Sequence, residues 1–393
     1  IMTDLVQEYG YYSGGESFTI ADPNEVWIME MIGKGPGIRG AVWVAVRVPD
    51  DCISAHANQA RIHQFDMNDK ENCMYSPDVV SFAREKGYFN GVNKDFSFSL
   101  AYAPLDFGAR RFCEARVWSY FNKFTDRGNE YLPYIEGKTD TPMPLFVKPK
   151  QKLSVQDVKN MMRDHYEGTP LDISNDFGAG PYKTPYRLSP LNFKVDDKEY
   201  FNERPISTQQ SGFVFVAQMR AHMPDPVGGV LWFGVDDANM TVFTPVYCCA
   251  TKVPVCYTRV DGADYITFSW NSAFWIFNWV SNMVYPRYDL MIGDVRETQK
   301  EMESTFNTAQ AGIEEMAVKL LEKDKDAAIN FLTKKFKRYT NQDALPSNTV
   351  YGLKTIIILN LPIRQPAGVL RPGYPKEFLQ EYVKQTGDRY LVK

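Results

Sequence analysis

The stretch EVWIMEMIGKGPGIRGAVWVAVRVPDDCISAHANQARIHQ, residues 25–64, decides the fold class. Glu25 to Ile32 and Ala41 to Val48 are rich in β-branched and aromatic residues and have strand length. Between them lies the Gly-rich GKGPGIRG (33–40). Its Gly35, Gly37 and Gly40 match GxGxxG, but a dinucleotide fingerprint needs a helix after the loop to receive the pyrophosphate. A strand follows here, so the glycines are read as permitting a tight turn, and the two strands as an antiparallel pair. Directly beyond the second strand, SAHANQARIHQ (54–64) gathers His56, Asn58, Gln59, Arg61 and His63. A strand end is a rigid place from which to aim donors. Asn amide hydrogens suit an oxyanion hole, because they donate without adding a titratable charge. The same spacing fits a polar turn whose side chains satisfy their own backbone equally well.

Outward from this stretch the pattern stays mixed. Ser17 to Ala21 is a further strand, set off by the turn Asp22-Pro23-Asn24. Residues 77–91 and 105–121 read as helices, and Ser154 to His165 as a helix with Ser154 and Asp157 in capping-box positions. Gly212 to Met219, Gly229 to Val235, Met240 to Cys248 and Tyr265 to Trp270 form a second set of strands. Met302, Phe306, Ala309, Ile313, Met316 and Leu320 predict a long amphipathic helix. KDKD (323–326) breaks it before a second helix through Ile329, Leu332, Phe336 and Tyr339. A Pro-containing tail and a short helix near Phe378 to Gln385 close the chain. Ile1 to Tyr9 has a helical pattern with no cap before it, and residue 1 is Ile, so the expectation is that further residues lie upstream. The class expected is α+β, with residues 1–290 as a strand-rich domain and 291–393 as a helical hairpin and tail packed on it.

The 393 residues carry 44 Lys and Arg against 48 Asp and Glu, a net charge of -4, and 44% hydrophobic residues. The counts of 25 Phe, 23 Tyr and 7 Trp supply enough apolar area to exclude disorder as the main state. No basic stripe marks a nucleic-acid binder. The most apolar run, Ala273 to Tyr285, is too short and too polar to span a bilayer and is read as a buried core segment. The 6 cysteines are too sparse for a disulfide scaffold, and the 4 histidines show no zinc-ligand spacing, so no metal or cofactor is expected. A second polar cluster is LDFGARRFCEARVW (105–118), where Arg110 and Arg111 leave a helix in different directions. Either could reach a substrate carboxylate, and both also fit a solvated helix face. The Asn239-Met240-Thr241 sequon falls in a turn and is read as chance.

Several long stretches then resemble one family in order along the chain. They are residues 8–35, 43–50, SAHANQARI (54–62), 75–89, LDFGARRFCEARVWS (105–119), LSVQDV and RDHYEGTP within 153–170, ERPISTQQSGFVFVAQ (203–218), and PDPVGGVLWFGVDDANMTVFTPVY (224–247). The resemblance is to the bacterial cysteine-type dipeptidases (dipeptidase A-like) of the N-terminal nucleophile superfamily. It implies a four-layer αββα sandwich, a dipeptide substrate, a homo-oligomer, and hydrolysis through an acyl-enzyme on a cysteine at the mature N-terminus. A free α-amine has a pKa near 7.7–8.0 and can act as base for its own residue's thiol. None of the cysteines here matches that nucleophile, which the resemblance places in an upstream N-terminal segment of the same enzyme. By similarity to related acylases, Asn58 is expected to stabilise the oxyanion and Arg111 to support the nucleophile. Arg110 is the competing choice and, with Arg61, a candidate for substrate binding. Two other readings stand beside this one: a non-catalytic peptide- or glycan-binding protein on the same scaffold, and an internal hydrolase using Cys52 with His56. The compartment, cytoplasmic or exported, is not legible.

Overall fold

A computed structural model describes residues 15–208, 210–340, 364–365, 368–369 and 374–392. The helix expected over residues 1–9 and most of the Pro-containing tail lie outside these. The chain divides into two compact units, residues 1–153 with 201–204 and 391–393, and residues 154–200 with 205–390.

In the first unit the expected meander is present. Strands β1 (Gly15–Ala21), β2 (Val26–Gly33) and β3 (Ala41–Arg47) pair antiparallel in sequence order, and β4 (Cys73–Tyr75) closes the sheet against β3. Asp22 sets the first turn, its carboxylate accepting from the Asn24 and Glu25 amides at 2.7 and 2.9 Å. Gly35, Gly37 and Gly40 all have positive φ, which glycine adopts without a Cβ clash, and the strand after them bears out the rejection of a dinucleotide loop. Ile28, Val42, Val44 and Val46 pack with Ile62, Phe82, Phe96 and Phe98 into a buried core.

In the second unit, β5 (Phe213–Gln218), β6 (Val230–Val235) and β7 (Thr244–Tyr247) form an antiparallel sheet with β6 in the middle. Val214, Val216, Val230 and Trp232 pack against Phe306, Ile313 and Ala317 of the helix Tyr288–Leu321 and Leu332 of the helix Lys325–Thr340. KDKD breaks the long helix as expected and gives a helical hairpin, because the Asp324 carboxylate accepts from the Asp326 and Ala327 amides and starts a new helix. The capping box of the helix Val155–Met162 is formed by Ser154 and Asp157. The class is α+β with antiparallel sheets and a long helix toward the C-terminus, the elements of an N-terminal nucleophile-type fold.

Three local expectations are corrected. Tyr265 to Trp270 is not a strand: Asp264 accepts from the Ile266 and Thr267 amides, and this Asx turn overrides the β-propensity of the aromatic residues. Residues 273–284 form a helix that is mostly half-buried rather than core. Met316 faces solvent while Ala317 is buried, so the apolar seam of the long helix is shifted by one residue there.

Candidate functional site

The site is built in the first unit on two rigid pieces, the end of β3 with its following loop and one broken helix. Asp106 caps that helix by accepting from the Ala109 amide at 2.7 Å. The helix runs through Phe107–Ala109, a π-helical turn at Arg110–Glu114, and Ala115–Phe124. A π-turn inserts an extra residue into the helical ladder, and such turns recur at functional sites. Arg111 and Glu114 are buried here, and Arg116 is half-buried.

The loop after β3 is held from all sides. Ser54 donates to the Leu145 carbonyl and Gln59 to the Ala103 carbonyl, each at 2.6 Å. Glu30, fully buried on β2, accepts from the Arg61 amide at 2.6 Å and the Ile62 amide at 2.9 Å. The buried Arg61 guanidinium pairs with Glu114 at 2.9 Å and donates to the carbonyls of Ala55, Met143 and Pro144. Arg61 thus fixes the loop, with its donors directed inward. Asn58, the exposed tip, has φ 57, a left-handed conformation that Asn tolerates better than most residues.

What the loop presents is the Asn58 amide. Arg116 donates to its Oδ1 at 2.9 Å and to the Ala57 carbonyl at 3.3 Å, while its Nε donates to the Phe112 carbonyl at 2.7 Å. With Oδ1 engaged, the Asn58 NH2 end is the free end, and none of the described residues accepts from it. The segment Phe201 to Arg204 lies along the same helix. Phe201 packs edge-on against Phe112 with ring centroids 5.1 Å apart, Glu203 forms a buried ion pair with Arg111, and Arg204 is half-buried. Arg110 reaches the exposed Asp140 at 2.6 Å and stacks over Tyr134. Of the expected site residues, Asn58 therefore presents a free donor, whereas Arg61, Arg110 and Arg111 each hold a carboxylate of this chain.

Burial decides the protonation states around the loop. His56, hydrogen-bonded to Thr19 at 3.0 Å, is pushed down to about 4 by burial and then by the charge of Arg61. It is a neutral imidazole at neutral pH. His63, 2.8 Å from the Ser99 hydroxyl, is lowered for the same two reasons. Glu30 is raised to about 7, because burial outweighs the two backbone N–H donors and Arg61. The thiols of Cys52, Cys73, Cys113, Cys248 and Cys249 are all pushed up, chiefly by burial. Cys52 donates to Asp51 at 3.4 Å, which also raises it, while His56 Nε2 faces Thr19; this is the reverse of an activated Cys–His pair. Among the described residues no cluster of three His, Cys, Asp or Glu side chains is placed to hold a metal ion, and no helix is long and apolar enough to cross a membrane. The sequon residue Asn239 is fully buried.

Sequence reasoning missed Arg116, Glu30, Glu114 and Glu203. Glu30 left a signal: a carboxylate at every-second-residue spacing with Ile28 and Ile32 falls on the apolar face of its strand. Arg116 left none, because a π-turn is invisible to a 3.6-residue period.

The chain belongs to peptidase family C69, whose sequence profile matches residues 1–301. It is 30% identical over 249 residues to a probable dipeptidase of Salmonella dublin, covering 63% of this chain and 50% of that protein. It is 27% identical over 334 residues to a probable dipeptidase of Latilactobacillus sakei, covering 85% and 62%. Dipeptidase A of Lactobacillus helveticus is 23% identical over 273 residues, covering 69% and 50%. The chain thus spans between 50% and 62% of the length of these relatives.

Proposed function

We propose that this chain is part of a dipeptidase that hydrolyses dipeptides through a cysteine acyl-enzyme. In this reading residues 1–290 form the αββα hydrolase domain, 291–393 its helical addition, and the nucleophilic cysteine stands at a mature N-terminus upstream. The thiol gives its proton to its own α-amine and attacks the scissile carbonyl carbon. The oxyanion that forms accepts from the Asn58 NH2 group. The C–N bond then breaks and the leaving amine takes the proton. Water next attacks the thioester, giving up a proton to the α-amine, and the free acid leaves as the thiol is restored.

The observation that carries this reading is the Arg116–Asn58 contact of 2.9 Å, which engages the amide oxygen and leaves a preorganised NH2 donor at an exposed loop tip. The raised internal thiols support a nucleophile outside them. Arg61 and Arg111 act as positioning residues, through the loop and through Glu203. The test is dipeptide turnover by the enzyme carrying its upstream segment, before and after iodoacetamide, with the alkylated thiol mapped by mass spectrometry. Loss of turnover on alkylation of an upstream thiol is the expected result. Loss that tracks modification of one of the six internal cysteines contradicts the reading.

A further inference from the structure

The two faces of β6 meet different surroundings. Side chains alternate along a strand, so Val230 and Trp232 enter the core against the helical hairpin while Leu231 and Phe233 point the opposite way. With Val246 on the neighbouring β7 they form one wall of a cavity of about 620 Å³, and Tyr257 and Phe274 form the other. Phe233 meets Tyr257 edge-on with ring centroids 5.5 Å apart, which braces the two walls. Val253 and Tyr265 line the same cavity and stay exposed, Tyr265 at 79%. An open, mainly apolar cavity of this size has the dimensions of a small-ligand site.

One pair of opposite charges also lines it. Arg259 donates to Asp264 Oδ2 at 3.2 Å. Asp264 Oδ1 accepts from the Ile266 and Thr267 amides at 3.0 and 2.8 Å, which fixes the carboxylate and holds its carboxyl below the usual range. The Arg259 side chain is 77% exposed, so its contact with Asp264 is a surface ion pair whose members exchange readily for the opposite charges of a ligand. A complementary ligand carries an ammonium for Asp264, a carboxylate for Arg259 and an apolar group for the cavity. Spacing decides which ligand that is. The two charges stand side by side, and a free amino acid holds both of its own on one Cα. In a dipeptide they sit at opposite ends, on Cα atoms about 3.8 Å apart.

We propose that this cavity binds a free amino acid with a large apolar side chain as its zwitterion, with the ammonium on Asp264, the carboxylate on Arg259 and the side chain against Leu231, Phe233 and Val246. Such an amino acid is also a product of the hydrolysis proposed above, but the site needs no turnover to be tested.

The test is calorimetric titration of this chain with phenylalanine, phenylalaninamide, hydrocinnamate and the dipeptide phenylalanyl-phenylalanine. Phenylalanine is expected to bind one to one, at least about 10-fold tighter than the dipeptide and than the two analogues that each lack one charge. Asp264→Asn removes the charge but keeps an acceptor for the Ile266 and Thr267 amides, and Arg259→Gln changes an exposed side chain. Each is expected to weaken phenylalanine binding by about 10- to 100-fold. No binding of phenylalanine, equal binding of the amide, the hydrocinnamate or the dipeptide, or an affinity unchanged in either variant overturns the site.

Discussion

Two polar clusters in this protein look alike in sequence and behave differently in the structure. One is the loop 54–64 with Asn58 at its tip. The other is Asp236 to Phe243, the link between β6 and β7, in which every residue is buried. In the second, Asp236 accepts from Asn278 at 2.9 Å and Ser281 at 2.7 Å, and Asp237 accepts from Ser207 and Tyr285. Arg296 and Gln299 donate to the Asn239 carbonyl, and Glu303 accepts from the Phe243 amide at 3.0 Å while pairing with the buried Arg163. These donors are spent inside the fold. The Asn58 loop spends its neighbours' donors to hold itself and leaves one NH2 group outward. A polar residue is a candidate for chemistry where the groups around it are satisfied and it is not.

The sharpest way to break this contrast is to open the buried link. Glu303→Ala leaves the Arg163 guanidinium buried without its carboxylate and the Phe243 amide without its acceptor. A loss of about 3–5 kcal/mol of unfolding free energy is expected in urea titrations. A loss under about 1 kcal/mol, the size of an exposed ion pair, would mean the link is not a structural clamp.

A somewhat smaller effect belongs to Glu30, which holds the Asn58 loop from below. Its folded pKa of about 7 lies above its ordinary 4.5, so the native state binds the proton more tightly than the unfolded chain. The associated stability is present below pH 4.5 and is lost as pH rises through 7, about 3 kcal/mol in total. Thermal melts from pH 4.5 to 8 should show this decline in the unmodified chain and a flatter profile in Glu30→Gln. Parallel profiles would remove Glu30 from the titration.

Much of the fold was legible in the sequence, and for identifiable reasons. The β1–β3 meander follows from period-two strands and a turn fixed by Asp22, and the Ser154 cap from a local rule. Tyr265 to Trp270 failed because a single Asp264 carboxylate, with two backbone amides in reach, outcompeted aromatic β-propensity. At the site, sequence reasoning singled out Asn58, Arg61, Arg110 and Arg111 but could not rank them, and it passed over Arg116. Arg61, Arg110, Arg111 and Arg116 differ only in what they touch: Glu114, Asp140 and Glu203 for the first three, and the Asn58 amide for the last. Those contacts join residues 30 to 92 positions apart, which no short-range pattern records.

The proposed role of Asn58, meeting charge that develops only in the transition state, is tested most directly by steady-state kinetics of Asn58→Ala in the dipeptidase proposed above. A fall of about 10²–10³ in kcat is expected, the cost of one oxyanion donor, with KM for the dipeptide little changed. An unchanged kcat would contradict it, as would a loss that appears only in KM.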